Sequence, residues 1–177
     1  DVMLDNVRVP AANIIGGVAG QGFKTAMKVL DRGRLHISAL ACGMAHRLMT
    51  DAVAYAKERK QFGQPIADFQ LIQAMLADSQ AELYAGMSMV RDCARRYDAK
   101  PVGKQDHEVS MLASCTKMFC TEMVGRVADR AVQIHGGAGY IAEYKAERFY
   151  RDVRLLRLYE GTTQIQQLII AKNLLRD

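Results

Sequence analysis

The 177-residue chain contains no tryptophan and only three prolines, so long helices can run without interruption. Its four cysteines, Cys42, Cys93, Cys115 and Cys120, form no C-x-x-C pair and lack the density of a secreted framework. Free thiols in a reducing compartment are therefore expected. The histidines, His36, His46, His107 and His135, are scattered. His107-Glu108 opens like a zincin motif but has no second histidine, so no metal site is read here. No apolar run reaches the ~18 residues of a membrane span. No signal peptide is recognisable either, so a chain that is neither secreted nor membrane-bound is expected. Basic residues are not interleaved with aromatics, as a single-strand nucleic-acid binder would need. An initiator methionine is also missing, and the chain begins in mid-pattern, like a piece of something longer.

What is present favours helix. Half the residues are hydrophobic, with abundant Ala, Leu, Met, Gln and Arg. The net charge of +5 fits a nucleic-acid surface, a site for phosphorylated ligands, or simply a solvated basic face. Residues 1–9 alternate and then meet Pro10, which reads as one β-strand; Gly16, Gly17, Gly20 and Gly22 follow as a loop. Helical periodicity then runs from about Phe23 to Arg59, from about Asp68 to Asp98 and from about Gln105 to His135. The breaks fall at Gln61–Pro65, Lys100–Gly103 and Gly136–Gly139. The first helix alone would run roughly 55 Å. A short helix around Glu143–Tyr150 and a last one from about Gln164 complete the chain, the latter with Ile165, Leu168, Ile169 and Leu174 as its apolar stripe. The expected fold is all-α: an up-and-down four-helix bundle carrying a short N-terminal β-strand arm. The ten methionines lie mostly on the apolar stripes, as adaptable core filling or as the lining of a roomy cleft.

The turn into the last helix stands apart. Thr163 with Gln166 three residues on fits a capping box. Glu160 then falls in the preceding turn, where orphan backbone N–H groups favour negative charge. Such a carboxylate either helps cap the helix or acts as a general base over a bound ligand, and the turn alone leaves both open. Asp31 and Arg34 are spaced i,i+3 and share a helix face, which by spacing alone reads as a surface ion pair of little worth.

Several short signals sit at corners of this one bundle. Arg59–Ile66 reads R-x-x-F-G-x-P-I and is followed by Phe69-Gln70. Gln133–Tyr140 reads Q-I-x-G-G-x-G-Y, and Tyr159–Gln166 reads Y-E-G-T-T-Q-I-Q. In this order, with Arg151-Asp152 between the last two, they resemble the C-terminal half of acyl-CoA dehydrogenases. The resemblance runs from Val7-Arg8-Val9-Pro10 to the end of the chain. It implies that residues 1–20 are the end of a central β-domain and a linker, and that 21–177 are the C-terminal helical bundle. Homotetramers built as dimers of dimers are implied too, with FAD lying across the dimer interface.

Matched residue by residue, Arg59, Gln61, Phe62 and Gln70 resemble the groups that hold the adenine-nucleotide end of a neighbouring subunit's FAD. Gln133, Ile134, His135, Gly136 and Gly137 resemble a second piece of that cradle. Thr162, with Thr163 beside it, and Gln164 resemble FAD contacts within the subunit, at a helix N-terminus. Asp31, Arg34, Tyr159 and Gly161 match positions lining the acyl-CoA cleft. Glu160 matches the catalytic base. Other members carry that carboxylate on the first long helix, but here Gly33 and its neighbours offer no glutamate. Gln167 and Lys172 depart from the family pattern, which often has arginine at both.

The implied reaction is α,β-dehydrogenation of an acyl-CoA thioester. Glu160 would remove the α-proton, the β-hydrogen would leave as hydride to the flavin, and electrons would pass to an electron-transfer flavoprotein. An α-proton beside a thioester is too weakly acidic for a free carboxylate, so the site must stabilise the enolate and exclude water. The resemblance places the enzyme in a bacterial cytoplasm or the mitochondrial matrix. Two rival readings are an acyl-CoA oxidase-like flavoenzyme and a non-catalytic DNA-binding relative of the same fold.

Overall fold

The computed structural model describes residues 1–100 and 106–176. Five α-helices dominate: α1 (Gly22–Glu58), α2 (Gln70–Ala99), α3 (His107–His135), α4 (Ala146–Leu155) and α5 (Thr163–Leu174). Two residue pairs, β1 (Lys60–Gln61) and β2 (Gln64–Pro65), form an antiparallel hairpin between α1 and α2. The break expected after the second helix lies at Lys100–Gly103, and its last three residues fall outside the described ones. No helix is long and apolar enough to cross a membrane among the described residues.

Helix α3 is the axis of the bundle, packing against α1, α2, α4 and α5. It is buried nearly all round, with Val109, Ala113, Cys120, Met123, Val124, Val127, Ala128 and Ala131 in the core. A helix that meets four others is the interior element of the bundle, even with polar residues among its buried ones. The α1 face against it is built from small residues, Ser38, Ala41, Cys42, Ala45, Ala52 and Ala56, with Leu48 as the bulky knob. Their i, i+3, i+4 spacing keeps them on one stripe, and their size lets the two backbones approach closely. Asp106 caps α3, its carboxylate accepting from the Val109 N–H at 3.1 Å. Gly136 ends α3 at φ 58, the C-cap anticipated from the glycine run. The four cysteines are free, three of them buried as core thiols.

Three sequence expectations need correction. Residues 1–9 form no strand: they are exposed throughout, and no described segment pairs with them. An alternating segment becomes a strand only when a ladder partner takes up its N–H and C=O groups. The N-cap of α5 is Thr162, not Thr163; its hydroxyl accepts from the Ile165 N–H at 3.3 Å. The apolar stripe of α5 faces outward, with Ile165, Leu168 and Leu174 exposed at 45%, 66% and 68%. The residue of that helix that enters the interior is polar Gln166, at 0%. The helix forms where expected, but its apolar residues are spread around it rather than gathered on the face packed against α3.

Candidate active site

The chain between α4 and α5 folds into a closed turn carrying Glu160 at its tip. Two successive residues adopt left-handed backbone, Glu160 at φ 55 and Gly161 at φ 90. For glutamate this region is disfavoured, so the surroundings must hold it there. They do so from three sides. The Thr163 N–H donates to Arg157 O at 3.2 Å, closing the turn across its base. Glu122 on α3 pins both ends, accepting from Arg157 Nη1 at 3.0 Å and from the Thr163 hydroxyl at 2.7 Å. Beneath the tip, Gln166 Nε2 donates to Glu160 O at 3.2 Å and to Gly161 O at 3.0 Å. Lys117 Nζ donates to Gly161 O at 2.7 Å.

Lys117 is completely buried on α3, and no motif singled it out. Desolvation pushes its ammonium down to about 8, with Arg34 lowering it further and Glu122 and Glu160 opposing. The available signal was a lysine within the otherwise apolar periodicity of the third helix. Beside Glu160, the Tyr159 phenol packs on the core and is pushed up by burial and then by the Glu160 charge, so it stays protonated at neutral pH.

The Glu160 side chain crosses to α1 and comes to rest on Gly33. A β-carbon built at Gly33 would collide with Glu160 Oε2 and lie 3.0 Å from its Cδ. Only a glycine on α1 leaves room for this carboxylate. One residue further along, Arg34 is buried and donates through Nη1 to Asp31 Oδ1 at 2.6 Å, an oxygen that also accepts from the Ser110 hydroxyl at 3.0 Å. The Asp31–Arg34 pair is thus a part-buried wall of the site rather than a solvated surface bridge. The Arg34 Nε is buried without a protein partner. Asp31, Arg34, Tyr159, Glu160, Gly161, Thr162 and Gln164 therefore gather around one end of α1, with Gln164 exposed and Thr163 occupied by Glu122.

The remaining expected site residues gather at the other end. Arg59, Gln61, Phe62 and Gln70 are all exposed around the hairpin. Its turn, Phe62-Gly63, has φ 52 and 84, the double left-handed geometry of a type I′ turn. Phe62 projects with 94% exposure, touching Phe69 edge-on at 6.1 Å between ring centroids. At the adjoining end of α3, Gln133, Gly136 and Gly137 face solvent, whereas the Ile134 and His135 side chains turn inward. The His135 ring stacks on Tyr55 at 4.4 Å, and its Nδ1–H donates to Ala131 O at 2.7 Å. What these two residues offer a ligand is backbone. The two clusters lie about 39 Å apart along α1, the span from Gly33 to Arg59 at ~1.5 Å per residue.

Comparison with known proteins accords with this geometry. The family model described as "Acyl-CoA dehydrogenase, C-terminal domain" matches residues 20–175. A probable acyl-CoA dehydrogenase of Bacillus subtilis, YngJ, is 46% identical over 99% of this chain and 44% of its own length. The caffeyl-CoA reductase-Etf complex subunit CarC of Acetobacterium woodii is 44% identical over 99% of this chain and 45% of its own. Among solved structures, an acyl-CoA dehydrogenase complexed with FAD from Bacillus anthracis superposes with a TM-score of 0.82 at 36% identity, covering 89% of this chain and 29% of that one. The chain thus spans less than half the length of these relatives. It belongs to the acyl-CoA dehydrogenase family, as its C-terminal domain.

Proposed function

We propose that this chain is the C-terminal part, residues 21–177, of a FAD-dependent enzyme acting on the α,β-bond of an acyl-CoA thioester, with Glu160 as the base. Residues 1–20 then lead in from a central β-domain. The observation that carries the reading is the seat of the Glu160 carboxylate, held on a left-handed turn and lodged where α1 has no side chain. A capping carboxylate needs neither feature, because the N-cap of α5 is already Thr162.

In this reading Glu160 takes the α-proton, and the preorganised turn holds the carboxylate at the reacting carbon. Arg34, Asp31, Tyr159 and Gly161 shape the wall along which the thioester lies, with Arg34 buried against Asp31. When bound, FAD supplies the acceptor for the β-hydrogen as hydride. By microscopic reversibility the same carboxylate returns the α-proton when the reaction runs as a reduction. Relatives named as a dehydrogenase and as a reductase are both compatible with one site. A relative named as part of an Etf complex supports electron-transfer flavoprotein as the redox partner.

The residues present fit FAD. Phe62 is an exposed aromatic on a left-handed turn, suited to adenine, and Arg59 and the Gly136-Gly137 backbone, both exposed at this end of the bundle, are suited to pyrophosphate. Thr162 and Gln164 sit at the N-terminus of α5, near Glu160. Clusters about 39 Å apart along one helix suit two different flavins better than one, which supports sharing of each cofactor between subunits of an oligomer. Against the nucleic-acid reading, arginines of the basic surface are already engaged, Arg96 with Glu108 and Arg126 and Arg130 with Glu82.

The deciding experiment is Glu160→Gln in the full-length enzyme. FAD should remain bound while acyl-CoA no longer bleaches the flavin. Bleaching at the wild-type rate would remove Glu160 from the mechanism.

A further inference from the structure

Lys117 has no evident reason to be in the core of this bundle. Burying an ammonium is costly unless it is paired and hydrogen-bonded, yet this one sits at 0% exposure in the middle of α3. It donates not to a carboxylate but to a backbone carbonyl, Gly161 O, at 2.7 Å. Gln166, also at 0% exposure, does the same from α5, donating to Gly161 O and to Glu160 O. In doing so it leaves its own Oε1 buried and unpartnered. Two fully buried polar side chains from two helices are thus committed to two consecutive carbonyls, those of the catalytic turn.

A helix N-terminus does not require this. Thr162 already caps α5, and Glu122 already pins the flanks of the turn through Arg157 and Thr163. The extra donors act on the tip alone. With both tip carbonyls held inward, the left-handed conformation of Glu160 and Gly161 is maintained, and the Glu160 side chain is left to reach Gly33. Gly161 completes the fit, since a β-carbon there would lie 2.7 Å from Gln166 Nε2.

We propose that Lys117 and Gln166 are positioning residues for the base: a buried clamp on the Glu160 and Gly161 carbonyls that aims the carboxylate at the substrate. Neither need touch substrate or flavin. This rests on the reading of Glu160 as the base, and the test separates the two.

In the full-length enzyme, Lys117→Met removes the donor and keeps the unbranched stem as far as Cε. FAD content and acyl-CoA affinity, from equilibrium titration, should stay near wild type, while single-turnover flavin bleaching slows about a hundredfold, as expected for a misplaced reacting group. Amide exchange at residues 159–163 should rise at least about tenfold while the rest of α3 stays protected. Gln166→Leu should reproduce both changes, and it decides the matter should Lys117→Met not fold. Wild-type bleaching with unchanged exchange at 159–163 in the folded variant overturns the clamp. Glu160→Gln, run in parallel, reports on the base alone: normal bleaching there sinks that assignment, whereas the exchange measurement still judges the clamp.

Discussion

At the scale of single residues, the site depends on atoms that are absent as much as on those present. Gly33 is needed because the Glu160 carboxylate occupies the space of its missing side chain. Gly33→Ala should displace that carboxylate and slow flavin bleaching about a hundredfold, with little effect on folding, since alanine favours helix. Equal bleaching rates in the two proteins would show that the carboxylate works from elsewhere. Lys117 makes a different prediction, about pH. Its folded-state pKa of about 8 lies below its ordinary 10.5, so the unfolded chain binds more protons between those values. Stability must therefore rise with pH across that window through this group, and be indifferent to it below about 8. Burial sets the shift; of the facing charges, Arg34 from α1 adds to it and Glu122 from α3 and Glu160 from the turn oppose it, with Asp31 bound to Arg34 and Arg157 bound to Glu122. Denaturant titrations of wild type and Lys117→Met from pH 7 to 11 isolate this contribution, which should be missing from the variant.

Among the elements, those legible in the sequence were the ones with a repeated physical signal. The three long helices were marked by tens of residues of 3.6 periodicity, and their ends by glycine and proline. The Phe62-Gly63 hairpin was read only as a break, because four ladder residues have no periodicity to show and a phenylalanine in left-handed backbone is not an expected turn former. The N-terminal strand failed for the converse reason: alternation was visible, but a ladder partner is a property of the fold. On α5 the helix was legible and its packing face was not, because apolar residues lie all round it and polar Gln166 is the one that is buried. The residues matched by the family motif fall into two groups about 39 Å apart along α1, and Lys117 was missed because a buried cation mimics a stray surface residue in a linear reading. The turn before α5 offers a direct test at this scale. Gly161→Ala imposes a β-carbon at φ 90 against Gln166 Nε2, and should cost about 2 kcal/mol of stability in thermal or denaturant unfolding. A neutral result would mean that the turn yields easily.

For the whole molecule, the exposed apolar side chains define what the bundle expects around it. Phe23, Val29, Leu71, Leu168 and Leu174 are each at least 60% exposed. With its apolar stripes continuous, the chain alone should fold as a helical domain, self-associate through these faces, and purify without colour, because a pyrophosphate cradle and one helix terminus do not offset the freedom lost on association. A flavin spectrum persisting through gel filtration would contradict this. In the full-length enzyme, Arg59→Ala should weaken FAD retention, and mixed oligomers with a partner defective in its own flavin half should regain activity; no gain above the separate mutants would rule out shared sites. The meeting of Glu160 with Gly33 has a further consequence, for how relatives are sorted. Two positions more than a hundred residues apart in sequence reach the same point in space, so, in the reading of Glu160 as the base, a glutamate lost from one and gained at the other would leave a carboxylate where it was. A survey scoring only the column of Glu160 would discard such a relative as dead, whereas one that scores the pair would count it as a working enzyme whose base arrived by another route.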